Sequence, residues 1–213
     1  MKTAVIIDYG LGNLFSIQQA FNHVGLHTVI TADNETIRKA DALILPGVGA
    51  FGNAMEYLSQ QDLIPEINTF VATGKPFMGI CLGMQLLFTE SEEFGIHKGL
   101  NLIEGKVVRF PVADVHDQPL KVPQIQWNTI GRQPGQSWDN TPLKHVPEHT
   151  YMHFVHSYYT IPDDPARILS TTEYGGIRYA SAVHKDNITG FQYHPEKSGQ
   201  YGLQIYRDWA ASV

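Results

Sequence analysis

Lys75-Pro76-Phe77-Met78-Gly79-Ile80-Cys81-Leu82-Gly83-Met84-Gln85-Leu86-Leu87-Phe88 holds the only cysteine of the chain and reads as strand, sharp turn and helix. Residues 77–80 form a short apolar run suited to a buried strand, and residues 84–88 open with strong helix formers. Cys81 stands between Gly79 and Gly83 in the pattern of a nucleophile elbow, where flanking glycines let backbone pass close to a side chain held in a strained turn. Such a turn aims its side chain outward over the sheet edge. The unpaired N–H groups and dipole of a following helix would favour thiolate and leave amides free to bind an oxyanion. A buried core cysteine is the competing reading of a lone thiol; the paired glycines weigh toward the elbow.

Upstream of this stretch, short apolar runs alternate with longer helical patterns. Residues 4–8, 27–31, 42–45 and 77–80 read as parallel strands, and residues 14–24, 35–39 and 52–73 as helices. In the first helix Phe15, Ile17, Ala20, Phe21 and Val24 recur at near-helical spacing, and Gly25 supplies the stop. Downstream, residues 102–110, 122–130, 154–161, 168–173, 179–184 and 190–193 are strand-like, and residues 200–211 close the chain with a helix whose Tyr201, Leu203, Ile205, Tyr206 and Trp209 read as core packing. The expected fold is α/β: a doubly wound, mostly parallel, flavodoxin-like sheet with a small added antiparallel layer. Residues 114–149, rich in Pro, Asp, Gln and Gly, give the weakest signal.

The length of 213 residues suits one domain over 1–213, burying roughly 70% of its unfolded surface. A hydrophobic fraction of 43% with 17% charged residues is ordinary for a soluble protein, and no apolar run approaches the ~18 residues of a membrane span. The first eight residues resemble an opening strand rather than a signal peptide. One cysteine leaves no internal disulfide, so a cytoplasmic location is expected. A net charge of −6 without a basic cluster argues against nucleic acid and favours a small molecule or a protein partner.

A reactive thiol needs a base, and Gly190-Phe191-Gln192-Tyr193-His194-Pro195-Glu196 offers one. His194 and Glu196, two apart in an extended context, can share one side of the chain, with Pro195 stiffening the pair. Cys81, His194 and Glu196 would then supply nucleophile, proton shuttle and orienting carboxylate. Alone, the tripeptide reads better as an exposed turn at a strand end; only its joint occurrence with the elbow favours the triad.

Gly79-Ile80-Cys81-Leu82-Gly83-Met84-Gln85 together with His194-Pro195-Glu196 resembles the triad-type, class I glutamine amidotransferases. Asp8-Tyr9-Gly10-Leu11-Gly12-Asn13-Leu14, Leu45-Pro46-Gly47-Val48-Gly49-Ala50-Phe51, Phe154-Val155-His156-Ser157-Tyr158 and His194-Pro195-Glu196-Lys197-Ser198 resemble the glutaminase subunits of imidazole glycerol phosphate synthases, over essentially the whole chain. The resemblance implies hydrolysis of L-glutamine through a cysteinyl thioester. It places the oxyanion donors at Leu82 and near Val48 and Gly49, and contacts to substrate glutamine at Gln85, Glu93, Ser157 and Tyr158. It further implies a (β/α)8-barrel cyclase subunit as partner, met at Asn13 and Lys197, with no cofactor and no metal. The glycines at 47 and 49 are expected to let the loop turn one N–H toward the oxyanion when the partner binds its substrate.

Other readings compete. Gly10-x-Gly12 with Asp33 hints at dinucleotide binding, but Phe15 stands where the third glycine belongs. His145, His149, His153 and His156 have helical metal-ligand spacing, which Pro147 and the strand-like residues after it break. Gln124, Gln126 and His153 depart from the family pattern, which leaves open a paralogue feeding another acceptor, such as a surface-polysaccharide sugar. A catalytically silent binding module on the same scaffold is the third reading; an intact Cys81, His194 and Glu196 argues against it.

Overall fold

The computed structural model describes residues 2–213. Its first half alternates strand and helix: β1 (Thr3–Ile7), α1 (Leu14–His23), β2 (His27–Thr31), α2 (Asn34–Lys39), β3 (Ala42–Leu45), α3 (Phe51–Gln60), α4 (Leu63–Ala72), β4 (Phe77–Ile80) and α5 (Leu82–Gln85). The second half is mostly strand: β5 (Phe88–Ser91), β6 (His97–Lys98), β7 (Ile103–Arg109), β8 (Gln124–Arg132), β9 (Thr150–His156), β10 (Tyr158–Pro162), β11 (Ile168–Tyr174), β12 (Ile177–Lys185) and β13 (Ile188–Phe191). A 3-10 turn over Pro195–Lys197 then leads into α6 (Gly199–Ala210).

The strands join in the order β2-β1-β3-β4-β13-β12-β10-β7-β5-β6, with β11 on β12 and the β8–β9 ribbon attached through β11. From β2 to β13 the pairings are parallel, and β12, β10 and β7 continue the sheet antiparallel. Alternation along the parallel strands explains why helices cover both faces. Ala4, Ile6, Ala42, Ile44, Met78 and Ile80 pack with Phe21 of α1 and Ile205, Tyr206 and Trp209 of α6. Val5, Ile7, Leu43, Leu45 and Phe77 pack with Ile37 of α2, Leu58 of α3 and Ile67 and Phe70 of α4. The doubly wound α/β architecture is the one expected, and its sheet is mixed.

Most boundaries shift by one or two residues, and three expected elements divide or shorten. The helix expected over 52–73 is two helices, broken at Asp62, which has a left-handed φ of 53°. Pro65 requires the break, because inside a continuous helix it would lack the N–H owed to Gln61 and press its ring on that carbonyl. The strand expected over 154–161 divides at Ser157 into β9 and β10. The helix expected from 84 to 88 is the single turn α5. The Leu86 and Leu87 carbonyls accept instead from the N–H groups of Leu100, Leu102 and Ile103, which draws Phe88 into β5.

Candidate active site

β4 ends in a strained turn. Cys81 has φ 56° and ψ −112°, a left-handed conformation rare for a residue with a side chain, and its N–H donates to Phe191 O at 2.7 Å. The glycines on either side are dictated by space. A Cβ on Gly83 would sit 1.8 Å from Leu45 O, and one on Gly79 would sit 2.7 Å from Gly83 O. The turn can exist only where β3, β4 and α5 approach with no side chain between them. At the start of α5 the Leu82 N–H has no acceptor among the described residues, as the first turn of a helix dictates.

β13 runs parallel beside β4 with Phe191 opposite Ile80, so the chain just beyond it arrives next to Cys81. There His194 Nδ1 lies 2.8 Å from Glu196 Oε1. Glu196 lies in the 3-10 turn rather than an extended segment; the pair forms because Pro195 opens that turn. The Glu196 side chain is fully buried, and its second oxygen accepts from Tyr206 OH at 3.0 Å. The backbone is fixed as well: His194 N–H donates to His153 O at 3.0 Å, and Ser198 OH donates to His194 O at 2.6 Å while accepting from His153 N–H at 3.0 Å. With Nδ1 committed to Glu196, Nε2 is left for Cys81, which lines the same pocket and whose Sγ lies 3.8 Å from Val155 O. Burial alone would lower the His194 pKa, but the charge of Cys81 and the carboxylate behind the ring outweigh it and raise it to about 10.

Cys81 and His194 open onto a pocket of about 310 Å³ that gathers residues distant in sequence. Val48 and Gly49 line it from the loop between β3 and α3, where Gly49 has φ 93° and open space around its α-carbon. Leu82 and Gln85 line it from α5, and Ser157 and Tyr158 from the β9–β10 junction. Glu93 lines it with a carboxylate that accepts from Phe51 N–H at 2.6 Å; burial raises its pKa against that bond. The donors of Gln85 face protein rather than pocket, with Nε2 at 2.9 Å from both Tyr158 O and Gln192 Oε1. Asn13, at the N-terminus of α1, and Lys197 stand at the rim. A larger depression of about 550 Å³ lies at the opposite end of the sheet, beside Gly74, Lys144 and His184. It contains none of the expected site residues, so chemistry rather than size identifies the smaller pocket.

Two competing motifs take ordinary structural places. Gly12 packs its loop against Pro46. The four histidines are dispersed: His145 pairs with Asp208 at 2.8 Å, His156 Nδ1 meets Tyr158 O at 2.8 Å, and His153 packs 6.4 Å from the His194 ring. Burial lowers the His156 pKa to about 4, so that ring is neutral. Sequence reasoning passed over Gln192, Ser198 and Tyr206. Gln192 carried a signal, as a polar residue two before His194 in an otherwise apolar strand; Tyr206 carried none beyond its helical period.

A thiol on an elbow, a carboxylate-held histidine and a doubly wound sheet are together the arrangement of a triad-type amidotransferase. Residues 5–211 match the family model "Glutamine amidotransferase class-I", and the chain belongs to that family. Its curated relatives narrow the class further. It is 45% identical over 215 residues to "Imidazole glycerol phosphate synthase subunit HisH" of Geobacter metallireducens, covering 100% of this chain and 99% of the relative. The proteins of the same name from Syntrophotalea carbinolica (46% over 208 residues; 96% and 98% covered) and Sulfurimonas denitrificans (47% over 204 residues; 96% and 95% covered) are equally similar. Among solved structures, PurLQS from Thermotoga maritima shares the fold with a TM-score of 0.73 at 17% identity, over 97% of this chain and 96% of that one. A structure described as glutamine amidotransferase does so with a TM-score of 0.68, also at 17% identity, over 98% and 99%.

Proposed function

We propose that this chain is the glutaminase subunit of an imidazole glycerol phosphate synthase, a single amidotransferase domain over 1–213 that hydrolyses glutamine and passes the ammonia to a cyclase subunit. The observation that carries the reading is the Cys81–His194–Glu196 arrangement within a chain 45–47% identical, end to end, to subunits of that name.

In this reading His194 takes the Cys81 proton, and Sγ attacks the carboxamide carbon of glutamine. The Leu82 N–H and an N–H from the Val48–Gly49 loop hold the oxyanion. His194 then protonates the departing ammonia and activates the water that cleaves the thioester, while Glu196 keeps the ring oriented. Glu93 meets the substrate ammonium, Ser157 and Tyr158 its carboxylate, and Gln85 supports them. Gly49, at φ 93° with nothing within 4 Å of its Cβ position, leaves its loop free to turn an N–H toward or away from the oxyanion. Hydrolysis then follows the state of the partner.

The partner is a (β/α)8-barrel cyclase that makes imidazole glycerol phosphate and aminoimidazole carboxamide ribonucleotide in histidine biosynthesis. An exposed apolar rim supports docking at the pocket mouth. Phe15 lies two residues beyond Asn13, Val48 lines the pocket, and Ile125 and Trp127 pair across the ribbon with Val155 and His153. Lys197 completes the rim. No nucleic acid or membrane enters this reading, which places the protein in the cytoplasm; no helix among the described residues is long and apolar enough to cross a membrane. Cys81→Ala tests it. Glutamine-dependent synthesis by the complex should disappear while ammonia-dependent synthesis persists; surviving glutamine-dependent synthesis would remove Cys81 from the mechanism.

A further inference from the structure

Gln192 is fully buried just beyond β13, its N–H held by Ser181 O at 2.9 Å. Its side-chain Nε2 faces Cys81 Sγ at 3.9 Å, the one acceptor it has among the described residues. The orientation of that amide follows from its neighbours. Tyr158 O can only accept, so Gln85 must present its NH2 group there, at 2.9 Å. The same NH2 group reaches Gln192 at 2.9 Å, so Gln192 must present its oxygen to Gln85 and its own NH2 to the sulfur. A flipped Gln192 would set two donors against each other and place a carbonyl oxygen beside Sγ.

We propose that Gln192 is a further catalytic residue, whose amide donates to Cys81 Sγ and stabilises the thiolate, with Gln85 and the Tyr158 carbonyl as its positioning chain. The inference rests on Cys81 being the nucleophile. A donor in a water-excluded site favours the charged sulfur over the neutral thiol. It therefore acts twice: in forming the thiolate that attacks, and in accepting that thiolate back as leaving group when water cleaves the thioester. In the thioester itself the sulfur is a poor acceptor, so the amide favours the free thiolate over the acyl state. The chain also runs to the carbonyl of Tyr158, in the segment read as holding the substrate carboxylate, which gives the bound substrate a route to the nucleophile.

The test exploits the single cysteine, which makes alkylation of the full chain by iodoacetamide report on Cys81 alone. The other titratable groups around the sulfur are His194, Tyr9 beyond β1, and His156, Tyr158, Glu93 and Lys197 lining the pocket; all are unchanged in the variants. In Gln192→Leu and in Gln192→Met, which is of similar length and uncharged, the pH midpoint of alkylation should rise by about one unit, and glutamine turnover at neutral pH should fall about tenfold with acyl-enzyme accumulating by intact mass. Gln85→Leu, which frees the amide to turn, should shift the midpoint the same way, and adding it to Gln192→Leu should shift it no further. Midpoints matching the unsubstituted chain in both Gln192 variants overturn the proposal, and Gln192→Met alone decides if Gln192→Leu does not fold. Failure of the underlying reading shows separately, as glutamine hydrolysis persisting in Cys81→Ala.

Discussion

Tyr206→Phe isolates one hydroxyl at the base of the site. The Tyr206 ring is fully buried and stacked on Phe21, with centroids 4.2 Å apart and planes at 28°, and phenylalanine retains that stack. Only the donation to Glu196 Oε2 at 3.0 Å is lost, from a carboxylate whose side chain is fully buried. A hydrogen bond to a charged acceptor contributes about 1.5–3 kcal/mol, and for a chain of this size each kcal/mol shifts Tm by about 2–4 °C. The variant should therefore melt about 3–12 °C lower. The carboxylate touches His194 and not the pocket, so kcat should fall by about tenfold, equivalent to about 1.4 kcal/mol of barrier, with the KM for glutamine unchanged. Calorimetry of the chain and initial rates of glutamate release by the complex measure both. An unchanged Tm and kcat, or a rise in KM alone, would refute the argument that Tyr206 steadies the histidine through Glu196.

The glycines and the histidine make further predictions. Gly83→Ala puts a Cβ 1.8 Å from Leu45 O, backbone that cannot rotate away, so the urea midpoint should fall by the equivalent of about 3 kcal/mol or more; an unchanged midpoint would contradict the elbow geometry. Gly49→Val strains a φ of 93° at the loop rather than the glutamine contacts, so kcat should drop at least about tenfold while KM stays within about threefold; a normal rate would exclude the loop from oxyanion binding. His194, raised from its ordinary 6.5 to about 10, contributes stability fully present below about pH 6.5 and lost as pH rises through about 10. Unfolding free energy measured in urea should thus decline between pH 7 and 10, and the decline should be shallower in Cys81→Ala, which removes a charge that raises His194; identical slopes would contradict the pairing.

The parallel half of the fold was legible because it depends on local pattern. The strands over 27–31, 42–45 and 77–80 match residue for residue: the last two are apolar runs that follow Asp41 and Pro76, and the first is rich in β-branched Thr, Val and Ile. The elbow was legible for a related reason, because close approach of backbone leaves glycine as its mark. What escaped depends on contacts between distant segments. Phe88 continues an apolar run that resembles helix, and only the N–H groups supplied by residues 100–103 turn it into strand. The break before Pro65 was within reach of a stricter reading of proline. The triad carboxylate could be found because it neighbours its histidine in sequence, whereas Tyr206 reaches Glu196 from another helix and Gln192 acquires its orientation through Gln85, 107 residues away.

The most direct test is glutamate release from glutamine by this chain, measured alone and with the cyclase subunit, in the absence and presence of the cyclase's nucleotide substrate. Strong stimulation only in the complete mixture, abolished by Cys81→Ala, is the predicted result. A rate that ignores the cyclase and its substrate would leave a glutaminase but contradict its assignment to this synthase.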